Sequence, residues 1–597
     1  MLEYVNKNRV LQGVDMFFTK GHKTLNMFDP LEHLGPKRRK LLESSWAHLF
    51  REEILPDLPV EKLLAHYNES QGRPTKDIYA MLGMMILQQT HDLTDEETVD
   101  EFAFDFKWHY ALNLIGESDI ETYVSPKTLW NMRKIVTEHN LYTALFESVT
   151  DKLAQVFDVD TSRQRIDSVH IRSNMRNLGR IGLFVATIKK FLTNFKRHHK
   201  DLFDVMDQEL IDRYMTKRGE SLFAMVKPSK SSKTLEVLVK DLFYLVDRFR
   251  EHSQIVTMTS YQLMVRLLKE QCVVEDGVEA GEAKVSVKPN GDVPSDSLQS
   301  PSDPDAGYSG HKGKGYHVQV AETYENSDEK TQPSLITHVS VESADKSDAK
   351  ALIPFIEDTK NRNLGPKEVL ADTLYGGDDN VETAANDKDV EVVSPVSGQE
   401  PGKDNKLSLM DFTLSKRGKV TSCPRGNVPF KAKHKKERHS ATFDIKSCES
   451  CPLLNECPVK PGKNGYYLRY DDRAARLARR RAYEKTAQFR EKYRYRSGVE
   501  GTISFCNKKT GIKHLRVRGI KAVSCCAFLK ATGVNILRAA TFKNRKIRDN
   551  RPDPTGIRSV LGLFSVVKEL LLPNIADMRR MIFQLHTGHQ LTVKTAA

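Results

Sequence analysis

The sequence predicts an α/β fold in which a mixed sheet carries the chemistry. An all-helical N-terminal region precedes the sheet, and a helical insertion and a Cys-bearing insertion interrupt it. Three observations predict this. Residues from about 60 to 155 keep apolar side chains at helical spacing, after a mixed-charge stretch from 1 to about 55. Short β-type runs then alternate with a helical run between residues 160 and 394. Two stretches break that alternation, one helical and one polar and Gly-rich. At 597 residues the chain exceeds a single core, and a prior of about 150 residues per domain gives three to four units.

In the N-terminal part, Ile78, Met81, Leu82, Met85 and Ile86 mark one helix face, and Thr94-Asp95-Glu96-Glu97 reads as a capping box. Ser125-Pro126 starts a further helix through Leu129, Trp130, Met132 and Ile135. Short helices with tight turns suit a helix-turn-helix and a plain bundle equally. Arg165 to Ile171 alternates as a half-buried strand. Residues 175–272 read as helical, with Phe184, Ile188, Phe191, Leu192 and Phe195 on one face, and the Gly/Pro/Ser-rich 273–305 as a flexible linker. Strands follow at Gly315 to Tyr324 and Ser334 to Val341, a helix at Ala349 to Thr359, and strands at Glu368 to Asp372 and Val390 to Val393. Residues 395–470 form the Cys-bearing insertion. One or two helices then run from Ala474 to Val499, and 541–597 is a basic tail.

Composition narrows the partners. Lys+Arg number 92 against 79 Asp+Glu, giving a net charge of +13 and a pI near 9.1, as expected for a polyanionic partner. No apolar run approaches the roughly 18 residues that span a bilayer, and the first residues lack a signal-peptide core, so a cytoplasmic location with no membrane is expected.

Three carboxylates stand out by context: Asp167 within a strand pattern, Asp372 closing the run Val369-Leu370-Ala371, and Glu500 on a helical stretch. Hard oxygen donors of this kind suit Mg²⁺ or Mn²⁺, two of which can act on a phosphodiester. Cys423, Cys448, Cys451 and Cys457 follow C-x24-C-x2-C-x5-C, the pattern of a small zinc knuckle, and free thiols are the alternative. Cys272, Cys506, Cys525 and Cys526 read as ordinary buried cysteines.

Tyr493, Arg496 and Glu500 have Tyr-x2-Arg-x3-Glu spacing, and Asp372-x2-Tyr375 surrounds the second acid. Asp303-Pro304-Asp305-Ala306 leads into Gly313 to Val320, and Leu515-Arg516-Val517-Arg518-Gly519 closes the pattern. With these motifs in order, the chain resembles the DDE transposases of bacterial insertion sequences over roughly residues 60–540. The family's basic residue seven positions after the Glu is Asn507 here, with Lys508 and Lys509 just beyond.

The resemblance implies an RNase H-like catalytic domain assembled from 160–174, 306–394 and 471–540, and a DNA-binding role for 1–155. It also implies catalytic roles and two-metal ligation for Asp167, Asp372 and Glu500, cleavage and strand transfer at terminal inverted repeats into target DNA, and a homodimer in the active complex. Tyr493, Arg496, Lys508, Lys509, Arg473, Arg476 and Arg480 are the expected DNA contacts, the basic ones acting through phosphates. A nuclease of the same fold without strand transfer, or a non-enzymatic DNA-binding regulator, are the competing functions.

Overall fold

The computed structural model describes residues 19–22, 31–66, 75–114, 119–215, 230–275, 284–327, 329–398 and 406–549. Residues 1–540 form one compact unit and 541–597 another; the basic tail lies outside the described residues from 550 onward.

The N-terminal region is helical, as its periodicity requires, with α1 (Ile78–His91), α2 (Asp95–Phe104), α3 (Pro126–Glu138) and α4 (Leu141–Val156) as its longer elements. Helix α1 begins where the Asp77 carboxylate accepts the Ala80 N–H, and it is apolar all round. Such a helix must be enclosed, and its side chains share a core with Phe50, Leu55, Trp108, Leu129 and Leu145. Thr94 and Glu97 form the expected reciprocal capping box of α2, and Ser125 caps α3 ahead of Pro126.

Strand β1 (Arg163–Arg172) is followed by α5 (Arg180–His198), α6 (Ser231–Phe249) and α7 (Thr259–Gln271), which bury their own core of Phe184, Phe191, Phe195, Leu242 and Leu267. The reading of 273–305 as a flexible linker is corrected for its described residues. Strands β2 (Cys272–Glu275) and β3 (Lys284–Val287) pair, Leu298 and Asp303 are buried, and Arg266 donates to Pro304 O at 2.8 Å. A polar, Gly/Pro-rich composition carries no record of such long-range ties.

The main sheet contains β1, β4 (Gly307–Ser309), β5 (Gly313–Thr323), β6 (Ile336–Ser343), β7 (Glu368–Leu370) and β8 (Glu391–Val393). Its order is β4-β5-β1-β7-β8, with β6 also on β5. Strands β1, β5 and β6 are antiparallel neighbours, whereas β1, β7 and β8 run parallel. Helices α8 (Leu352–Asn361) and α9 (Asp378–Lys388) make the crossovers that parallel strands require. This is the RNase H-like arrangement the sequence predicts.

Between β8 and the last helices lie two small sheets. Strands β9 (Thr413–Leu414) and β10 (Val420–Ser422) form one, and β11 (Lys431–Lys435), β12 (Arg438–Phe443), β13 (Lys460–Gly462) and β14 (Gly465–Asp471) the other. Then come α10 (Asp472–Glu484), α11 (Ala487–Tyr493), a 3-10 turn over Arg494–Ser497, α12 (Gly498–Thr510) and α13 (Ile520–Asp549). The expected one or two helices ahead of Glu500 are thus α10 and α11, and Glu500 opens a separate one.

Helix α13 joins two cores. Its Leu529 and Ile536 enter the N-terminal helical core, and its Ala527, Ala531 and Val534 pack on Val169, Tyr316 and Val318 of the sheet. A Cβ on Gly533 would fall 2.0 Å from Thr90 Oγ1, so close packing of α13 on α1 needs glycine there. Lys530 reaches Asp92, just past α1, at 2.8 Å. The helix is long and apolar enough to cross a membrane, which a scan for unbroken apolar runs misses. It is mostly buried inside the protein, which accounts for its composition.

Candidate active site

The three acids come together from three elements. Asp167 lies mid-way along β1, and Asp372 follows β7 by two residues. The parallel register of β1 and β7 ends at Arg165 and Leu370, and Asp372, just past the strand end, lies close enough to Asp167 for their charges to interact. Burial raises the Asp167 carboxyl above its usual range; Arg496 and the Ser168 N–H oppose this, and Asp372 adds to it. Glu500 sits in the first turn of α12.

Arg496 ties the acids together. It donates through Nη2 to Asp167 Oδ2 and through Nη1 to Glu500 Oε1, both at 2.8 Å. The sequence reading made Arg496 a phosphate contact on the Glu500 helix. Instead it lies in the 3-10 turn before α12, its guanidinium between two carboxylates, because the chain changes direction between α11 and α12. Tyr493, half-buried at the end of α11, stacks on Phe489 with ring centroids 5.2 Å apart. Burial raises its hydroxyl pKa; Arg496 opposes this, and Asp372 and Asp167 add to it.

A buried network missed in the sequence fixes Glu500's helix to Asp167's strand. Glu322 of β5 is fully buried and takes hydrogen bonds from Arg165 Nε (2.7 Å), Thr502 Oγ1 (2.6 Å) and Arg538 Nη1 (2.7 Å). Burial disfavours its ionisation, yet Arg538, Arg165 and Thr502 together hold the carboxyl below the usual Glu range. Arg165 Nη1 also donates to Tyr495 O at 2.6 Å. A Cβ at Gly498 would fall 2.1 Å from Arg165 Nη1, so the start of α12 needs glycine for this approach. Glu322, the one acidic residue between Gly315 and Thr323, was the available signal.

Tyr375 is fully buried and donates to Gln319 Oε1, anchoring the turn after Asp372. On the same sheet face, Asp348 accepts from Ser168 Oγ at 2.8 Å and from Gln319 Nε2 at 2.7 Å. Despite burial, His317, Gln319 and Ser168 pull its pKa down to about 2.

The expected basic track divides. Arg473, Lys508 and Lys509 are exposed. Arg476 and Arg480 are corrected: Arg476 Nη2 pairs with buried Asp378 at 2.6 Å, and Arg480 donates to Gly376 O at 2.9 Å. Both arginines pin α10 to the segment after Asp372, and only the fold brings their acceptors within reach. Cys272, Cys506, Cys525 and Cys526 are buried, as expected. Cys423, Cys448, Cys451 and Cys457 line one cavity, where burial and the neighbouring thiols push Cys448 up to about 11.

An acid cluster on an RNase H-like sheet, with a helix-borne Glu beside it, is the arrangement that the resemblance to DDE transposases implies. Residues 422–540 match the family model described as Transposase DDE domain, and residues 41–135 match Transposase domain (DUF772). In this order the two matches support a DDE transposase of an insertion sequence. The first contains Glu500 and the four clustered cysteines; Asp167 and Asp372 lie outside both. No curated protein matches the chain.

Proposed function

We propose that this transposase binds the terminal inverted repeats of its element, cleaves there, and joins the 3′ ends to target DNA, with Asp167, Asp372 and Glu500 as its catalytic residues. The observation that carries the reading is the Arg496 guanidinium bridging Asp167 and Glu500, with Asp372 close enough to Asp167 for their charges to interact. Carboxylates brought together repel unless a cation lies between them, and the Arg496 guanidinium is such a cation between Asp167 and Glu500.

The donor set fits Mg²⁺ or Mn²⁺, since all three side chains offer hard oxygens. Asp167, Asp372 and Glu500 would hold two such ions between them. Bound there, the ions supply activation of the attacking oxygen and stabilisation of the leaving 3′ oxygen. Arg496 would hold a phosphate bidentately beside them where the ions take over its carboxylate partners. Tyr493, Arg473, Lys508 and Lys509 make further contacts to the DNA end, the basic ones contributing affinity without sequence information. Two ends must be processed together, which a homodimer achieves.

The test uses pre-cleaved element ends and a plasmid target in Mg²⁺. Joined products support transposition; hydrolysis without joining supports a nuclease. Asp167→Asn, Asp372→Asn and Glu500→Gln should each abolish both while leaving end binding within about threefold, because the positive side chains supply most of the affinity. Wild-type cleavage by any one variant removes that residue from the assignment.

A further inference from the structure

The small sheets between β8 and α10 have little core of their own. Their buried apolar side chains are Phe412, Val420, Ala441, Phe443 and Leu468, with Cys423, Cys448 and Cys457 packed against them. Units of this size, below about 70 residues, commonly add a disulfide or a metal to such a core. All four cysteines here are free thiols.

The thiols arrive from three turns built in the manner of metal-binding loops. Cys423 opens Cys423-Pro424-Arg425-Gly426, where its N–H donates to Asn427 O at 2.9 Å and the Gly426 N–H returns to Cys423 O at 2.8 Å. Gly426 has φ +81°, which favours glycine and lets the chain fold back around the thiol. Cys448 ends a short helix, and Cys451 N–H donates to Cys448 O at 3.0 Å. Cys457 follows a 3-10 turn, its N–H bonded to Leu454 O at 3.2 Å. The four side chains line a common cavity of about 30 Å³.

We infer that Cys423, Cys448, Cys451 and Cys457 bind one structural zinc ion as a four-thiolate site, which holds the β11–β12 hairpin in place for DNA. Soft thiolates select zinc over the hard ions that suit the acids, so this site and the acid cluster stand or fall separately. Strand β12 runs through Phe443 directly into the Cys448 turn, and its partner β14 leads into α10. The hairpin exposes Lys431, Lys433, Lys435, Lys436 and Arg438, a row of cations suited to phosphates.

A rival ligand set lies nearby: His434 of β11, His439 of β12 and Asp472 at the start of α10 present ligand atoms within 4.8 Å of one another. These groups already pair, with Asp472 Oδ1 at 2.5 Å from His439 Nε2 and 3.2 Å from His434 Nε2, and so need no ion.

The full-length protein, purified without chelator, should contain about one zinc per chain by elemental analysis. Reduced, metal-stripped wild type should take up Co²⁺ with the visible and thiolate charge-transfer bands of a tetrahedral sulfur site. Cys448→Ser with Cys451→Ser should lose the zinc, become protease-sensitive between residues 406 and 471, and bind DNA with a flatter salt dependence. Its Mn²⁺ binding at the acids should remain at wild-type strength, which separates a failure here from a failure of the active-site reading. Three results would overturn the inference: neither zinc nor a cobalt spectrum in reduced wild type, zinc kept by the double variant but lost from His439→Ala, or disulfides among these four cysteines in the purified protein.

Discussion

Arg496→Ala should change metal binding and catalysis in opposite directions. The guanidinium meets Asp167 and Glu500, each at 2.8 Å, on the carboxylates that a divalent ion would have to engage. With charge centres about 4 Å apart, each pair is worth about 4 kcal/mol at an effective dielectric of about 20 before screening and desolvation. The Glu500 side chain is 64% exposed, which reduces its arm to about 0.5 kcal/mol. Asp167 and Arg496 are 14% and 16% exposed, and there desolvation offsets much of the attraction, leaving about 1 kcal/mol. Removing the competing cation therefore tightens Mn²⁺ binding by roughly 1.5 kcal/mol, about tenfold. Isothermal titration of Mn²⁺ into DNA-free wild type and variant reads this directly. Cleavage at saturating metal should nonetheless fall at least tenfold, because a bidentate phosphate contact is lost, and Arg496→Lys should restore only part of it. If Arg496→Ala binds Mn²⁺ no better than wild type while circular dichroism shows it folded, the guanidinium does not stand in for the metal and the reasoning fails.

Two further outcomes concern the scaffold. Glu322→Gln leaves Arg165 and Arg538 facing a neutral group in the interior, and urea unfolding should lose about 3–5 kcal/mol. A loss under about 1 kcal/mol would show that the network is not what joins α12 to the sheet. His170 is held neutral in the fold: burial first, then His317, Lys312 and Arg172 push it from 6.5 down to about 4. Between those values the unfolded chain binds the extra proton, so stability from this group is full above pH 6.5 and lost as pH falls toward 4. His170→Gln should flatten the rise of Tm across that window by an amount equivalent to about 1–2 kcal/mol after discounting for its partial exposure; an unchanged slope would assign the effect to other groups.

What the sequence determined by itself was whatever repeats or caps locally. Helical spacing marked α1 and α3, Thr94 and Glu97 marked the start of α2, and strand alternation placed Asp167 on β1. Motif spacing selected Asp372 and Glu500 from 79 acidic residues, and the cysteine spacing selected four thiols that line one cavity. Each of these signals spans a few turns or a short loop, where side-chain period follows backbone geometry.

The tertiary structure decided which charge meets which. Arg496 finds Asp167 across 329 residues and Arg165 finds Glu322 across 157, while Arg476 and Arg480 spend their guanidinium groups on α9 and the turn before it. The polar run ending at Asp303 looks like a linker until Tyr316, Ser173 and the Gly519 N–H all bond to that one carboxylate. An Arg in a sequence looks the same whether it is solvated, on a phosphate or on a carboxylate. Its partner is set by the chain's path through space, because electrostatic and hydrogen-bond energies depend on distance and burial, which no local period encodes.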